Sequence, residues 1–367
     1  MNTENMHSGI NNLLKKCMHV QPGDRVLVVL EPESEDFYDD RVGDIVASRI
    51  RDMGGIVSTQ RPELIIDPSD FPANLTEAME QSDHTLFFSR LGDYARFTPM
   101  TNKGSTTISY TYQPDSLSSP FSGVCYQLMT NLLNKLESEL LAAHKWRITC
   151  DKGTDISGTF CWDYHESDPG ETGKNESGEF TMALFPITTF RPVPCYTATG
   201  TVALSRWLIP GAAAKVDPST LHFDGVVFAE VKDGYLTAFK GNEPSAAKVS
   251  EYYDFVSRAL NTNRNRIHSW HAGINPHAHF KGNVDRDLEK WGAISFASPR
   301  YLHFHTCGDH PPGELAWSVF NPTIIIDDEV YWQDGQLAWL KRTDNLSLIS
   351  QVSGADSLLA PSLDIGI

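Results

Sequence analysis

The stretch Arg25–Leu30, RVLVVL, limits what this chain can fold into more than any other. Its apolar residues do not alternate with polar ones, so it reads as a strand covered on both faces. Such strands belong to parallel sheets packed between helices. The turn Gln21-Pro22-Gly23-Asp24 leads into it, and Asp40–Met53 follows with Val42, Ile45, Val46, Ile50 and Met53 at helical spacing. Gly54-Gly55 closes that helix. Ile56–Thr59, His84–Ser89 and Thr106–Tyr112 are the next strands. Strand, helix, strand at this spacing predicts βαβ units and a Rossmann-like parallel sheet. A helix over residues 6–19 precedes the sheet. No GxGxxG follows Arg25–Leu30, so no dinucleotide site is expected.

Helical periodicity continues from Gly123 to His144 and then stops. From Trp146 onward short strand-like runs alternate with Gly, Pro and Asp turns: WRITCD, GTFCWDY, EFTMALF, GTVALSRWL, GVVFAEVKDGYLTAF. That is an antiparallel pattern, interrupted by a helix at Ala246–Leu260. The expected architecture is an α/β N-terminal domain over 1–147 and a β-rich α+β C-terminal domain over 148–367. Glu166–Gly178 reads as an exposed acidic loop, and Leu348–Ile367 as a tail or a lid.

Composition narrows the function classes. With 367 residues, 40% hydrophobic and 21% charged, the chain has the make-up of a two-domain globular protein. A net charge of −17 without a basic stripe excludes a nucleic-acid backbone and an anionic membrane surface as partners. No apolar run approaches the ~20 residues of a membrane span. The six cysteines form no CxxC pair and the N-terminus shows no apolar signal segment, so a cytoplasmic location is expected.

Chemistry concentrates in His268–Glu314, which holds seven of the thirteen histidines. Within it, RYLHFHT at 300–306 reads as a strand. On a strand Tyr301, His303 and His305 share one face, with Leu302 and Phe304 on the other. Two imidazoles side by side on a rigid strand are a pair of metal ligands, and Glu314, past a Gly-Asp-His-Pro-Pro turn, offers a carboxylate. Two His and a carboxylate suit Fe(II), and the same donors suit Zn(II). Against this stands the ordinary use of histidine as a hydrogen-bonding group. No GxSxG elbow occurs, which disfavours a nucleophilic hydrolase.

Small motifs in order carry a resemblance. Gln21–Val29 reads QPGDRVLVV, Gly153-Thr154-Asp155 a GTD motif, and Ala272–Pro276 part of a G-I-G-x-N-P turn. Ile324–Glu329 forms an apolar strand before an acidic turn. In these the chain resembles the aminopeptidase T-like thermophilic metalloaminopeptidases and their relative, 2,5-dihydroxypyridine 5,6-dioxygenase. The resemblance implies a metal site near the turn. It also shows that site changed: Thr189 stands where the peptidases have a ligand Glu, Ser295 where they have His, and Ala316 where they have Asp. His271, heading the turn, matches the dioxygenase's ligand His. The resemblance further implies a homodimer, and closed two-fold dimers are the commonest oligomers.

The residues and the resemblance together support a mononuclear metal-dependent enzyme acting on a small amide, peptide or heteroaromatic substrate, with non-haem iron ahead of zinc. The expected metal ligands are His271, His303, His305 and Glu314. Asp309 and His310 on the intervening turn are the candidate orienting group and general base. Two alternatives stand beside this. One is a catalytically inactive relative that carries no metal and binds a peptide or small molecule for partner enzymes of a biosynthetic pathway. The other is a metalloaminopeptidase.

Overall fold

The computed structural model describes residues 3–65, 70–95, 104–162, 182–186, 189–211, 216–308 and 315–367. Four parallel strands come first: β1 (Arg25–Leu30), β2 (Ile56–Gln60), β3 (His84–Phe88) and β4 (Ser105–Ser109). The chain then enters a second sheet with β5 (Lys145–Thr149) and β6 (Asp155–Thr159). It returns with β7 (Met182–Phe185), which pairs parallel with β4 and gives the first sheet the order β2-β1-β3-β4-β7. This is the Rossmann-like α/β layer the sequence predicts.

β1 shows why its sequence is uninterrupted. Val26, Val28 and Leu30 pack with Val42, Val46 and Ile50 of the helix Asp40–Asp52, whose N-terminus is capped by Asp39. Leu27 and Val29 point the other way, onto Leu75, Met79 and Phe87. Helices on both faces therefore demand apolar residues at every position.

Two expectations change here. EFTMALF reads as part of the antiparallel region, yet Met182–Phe185 completes the parallel sheet. A short apolar strand carries no mark of its partner, and the open edge of β4 takes it. The N-terminal helix is also not uniform, passing at Asn12–Cys17 into a π-helix that buries Leu13 and Leu14. The 147/148 division remains our proposed boundary, with β7 returning across it.

The second sheet is antiparallel. It takes β8 (Val193–Pro194), β9 (Thr199–Pro210), β10 (Leu221–Lys232), β11 (Tyr235–Gly241), β12 (Ile267–Ala272), β13 (Tyr301–Thr306), β14 (Leu315–Phe320), β15 (Thr323–Ile326) and β16 (Glu329–Trp332). The order is β16-β15-β5-β6-β9-β14-β13-β12-β8, with β10 and β11 branching from β9. The helices Tyr126–Ala142 and Glu243–Leu260 contribute Leu132, Leu136, Val249 and Tyr253 to its core, which also contains Trp146, Trp270, Trp317 and Trp332. All six cysteines are free thiols. Among the described residues no helix is long and apolar enough to cross a membrane.

The C-terminal segment is anchored. The Trp291 indole donates to the Ile365 carbonyl at 2.7 Å, the Leu363 amide donates to the Pro276 carbonyl at 2.9 Å, and Ile365 is fully buried.

Candidate functional site

Register between β12 and β13 builds the site. His271 lies directly opposite His303, and Ser269 opposite His305. Directly opposed residues on one face hold their Cβ atoms about 5 Å apart, and i+2 on the same strand shares that face. His271, His303 and His305 therefore meet, while Trp270, Ala272, Leu302 and Phe304 turn to the core. One ligand nitrogen from each ring lies within 4.8 Å of the others. His271 Nε2 is 3.1 Å from His305 Nε2 and in closer contact with His303 Nε2. The expected alternation along the 300–306 strand is what the structure shows. His271, expected at the head of a turn, lies instead within the strand β12.

The protonation state of the cluster follows from its partners. His271 Nδ1 donates to the Phe190 carbonyl at 3.3 Å, since a carbonyl only accepts. In neutral His271 the lone pair is then on Nε2, aimed at the other two rings. His303 is buried, and burial, followed by the charges of His271 and His305, holds its pKa well below the ordinary 6.5. Its Nδ1 is buried with no hydrogen-bond partner among the described residues. Three imidazole nitrogens crowded together, two of them buried and one disfavouring a proton, are a donor set that fits a divalent transition metal.

The histidines open into a cavity of about 480 Å³. Small side chains leave the room: Ala316, which pairs across from His305, and Thr189, whose hydroxyl donates to the Ala272 carbonyl at 3.0 Å, both line it. Both are positions where the resemblance places a carboxylate ligand. Ser295, aligned with the peptidases' His, is fully buried in the helix Leu288–Ser295 and is not among the lining residues. Asp309, His310 and Glu314 lie outside the described residues.

Sequence reasoning missed the facing wall of this cavity. Phe37 and Tyr38 follow β1, Arg90, Asp93 and Tyr94 follow β3, and Tyr110 and Tyr112 follow β4. The ligand side of an α/β sheet lies at the carboxyl ends of its strands, so the aromatic and charged residues just past each strand were the available signal. Tyr38 donates to the Ser109 carbonyl at 2.9 Å and Tyr110 to Asp93 at 3.1 Å. Burial raises the Tyr38 and Tyr112 hydroxyls well above the ordinary phenol range, so both stay neutral.

Arg90 knits this wall to the second half of the chain. Its guanidinium donates to Glu31 at 2.8 Å, Glu35 at 2.7 Å and Glu289 at 3.0 Å, and lies 4.5 Å over the Phe37 ring. Burial pushes the Glu31 carboxyl upward against the lowering effect of Arg90.

No family model matches the sequence, and no curated protein matches it by sequence. Solved structures do. The 2,5-dihydroxypyridine dioxygenase of Pseudomonas putida KT2440 aligns with a TM-score of 0.63, over 94% of this chain and 99% of its own, at 14% identity. Wild-type AmpT of Thermus thermophilus aligns with a TM-score of 0.52, over 91% and 99%, at 12% identity. The chain shares their fold. At these identities the likeness is one of architecture, and the side chains at the site carry the chemistry separately.

Proposed function

We propose that the protein is a mononuclear metal-dependent enzyme whose metal is held by His271, His303 and His305 and whose substrate enters the cavity beside them. The observation that carries this reading is the convergence of three imidazoles, from two adjacent strands, on one cavity wall. Imidazole ligands suit iron, zinc, copper and nickel; we favour Fe(II) because a fold relative is a dioxygenase. Bound there, the metal would supply a Lewis acid with positions left open for substrate.

The chain's own residues do the rest. The Phe190 carbonyl orients His271, and Tyr38, Tyr110 and Tyr112 give a mostly apolar surface against which a small aromatic or amide-bearing molecule can lie. Asp93, held by Tyr110, is a carboxylate in the same cavity and a candidate proton acceptor. Glu314 and the pair Asp309–His310 remain proposed contributors from sequence: Glu314 as a further ligand, the pair as orienting group and base.

Elemental analysis after expression with iron and zinc supplied tests the reading. Wild-type protein should hold about one metal per chain, and His271→Ala and His303→Ala well under a tenth of that, with unchanged circular dichroism. Metal-free wild type would sink the enzyme and leave a binding protein.

A further inference from the structure

One glycine faces the cavity where the fold does not ask for a glycine. Residues four apart share a helix face. Leu288 and Gly292 of the helix Leu288–Ser295, with Phe296 just past its end, therefore form one row, and all three line the cavity. Trp291 and Ser295, on the row beside it, are fully buried. Gly292 is buried too. Yet a Cβ built on it meets no atom within 4 Å among the described residues, and its φ is not in the left-handed region. Gly43, in the helix Asp40–Asp52, is the contrast: a Cβ there would stand 2.2 Å from Leu30 Cδ2. Neither packing nor backbone requires glycine at 292, and glycine is a poor helix former. Buried, with open space before it, the position looks into the cavity.

The result is a notch between two large apolar side chains. The Phe296 ring centroid lies 4.4 Å from that of His303. Four residues of helix, about 6 Å, separate Phe296 from Gly292. The notch thus begins one turn beyond the ring that touches the histidine triad. Its neighbourhood is apolar: Ala293, Leu64 and Leu184 line the cavity and pack on the core of Leu27, Phe87 and Ile108.

We propose that the ligand of this cavity has two parts: a head at the histidines and an unbranched apolar arm that runs past Phe296 into the notch. Gly292 sets the length of the arm and is a specificity-determining residue. The ligation of the head rests on the metal reading above; the seat of the arm does not.

The probes are phenol, 4-ethylphenol and 4-butylphenol, titrated calorimetrically into the full chain before and after chelator treatment. Affinity for wild type should rise about threefold to fourfold with each added methylene, with or without metal. Gly292→Leu fills the notch. It should hold phenol within about twofold of wild type but lose the gain with chain length, so that 4-butylphenol binds about tenfold or more weakly than to wild type. Its metal content should equal wild type. Because the arm is also read on chelator-treated protein, failure of the metal site and failure here are distinguishable. Gly292→Ala guards against a Leu variant that does not fold. It should melt no lower than wild type, since alanine is the better helix former and its Cβ meets nothing among the described residues, and should bind 4-butylphenol about threefold more weakly. Wild-type affinity that does not rise with chain length, an equal rise in Gly292→Leu, an equal loss for phenol and 4-butylphenol, or a Gly292→Ala variant that melts lower would each overturn the proposal.

Discussion

His277 shows how a histidine of the same sequence cluster differs from the three at the site. It is buried, its Nε2 lies 3.2 Å from the Ser357 hydroxyl, and burial followed by the charge of His279 lowers its pKa from 6.5. The unfolded chain takes this proton first as pH falls, so the contribution is whole above about 6.5 and is lost through the window below it, towards the lowered folded pKa. The denaturation midpoint should therefore fall between pH 7.5 and 5, and His277→Gln should make that fall smaller. An unchanged pH dependence in the variant would remove His277 from the account. At this scale the sequence was informative about residue type and face. His303 and His305 could be placed on one side of a strand because a strand has period two. That His271 would sit opposite His303 could not be read, since register depends on the pairing of β12 with β13 and not on either strand alone.

At the scale of elements, the strand–loop junctions position the site. Gly273 follows β12 immediately, and a Cβ there would stand 2.2 Å from the Ala297 carbonyl carbon and 2.3 Å from the Ser298 nitrogen. Those are backbone atoms and cannot swing away, so any side chain must push β12 from its seat. Gly273→Ala is expected to cost about 1–3 kcal/mol and to weaken metal binding at least about tenfold, because His271 lies two residues upstream. A variant with wild-type stability and metal content would show that the strand end has slack. Arg90 is the other such element, since it joins the segment after β1 to the helix Leu288–Ser295. Arg90→Met leaves the nearly fully buried Glu31 without the guanidinium that pairs with it, keeping the backbone amide of residue 90 at 3.2 Å. Urea denaturation should show a loss of about 2–4 kcal/mol; a loss under 1 kcal/mol would show that water replaces the guanidinium. The elements themselves were legible wherever periodicity was long, as in Asp40–Asp52 and Tyr126–Ala142, and less so for β7, where four residues could serve either sheet.

At the scale of the molecule, two sheets of different kinds face one cavity. The parallel sheet brings tyrosines and carboxylates at its strand ends, and the antiparallel sheet brings the three imidazoles. The two classes of sheet were visible in the sequence because a doubly covered strand and a series of short turn-bounded strands leave different hydrophobic patterns. The cavity wall of the first sheet left its residues just past the strands as a signal, but they lie far apart in the chain and only the strand order β2-β1-β3-β4-β7 gathers them into one wall. The central claim is that His271, His303 and His305 hold one metal ion. It is tested most directly by an anomalous-difference map from crystals of iron-loaded protein, recorded at the iron edge. The account expects a single peak per chain within about 2.0–2.2 Å of Nε2 of all three histidines. A map with no peak at the triad, or with its peak on other side chains, would contradict it.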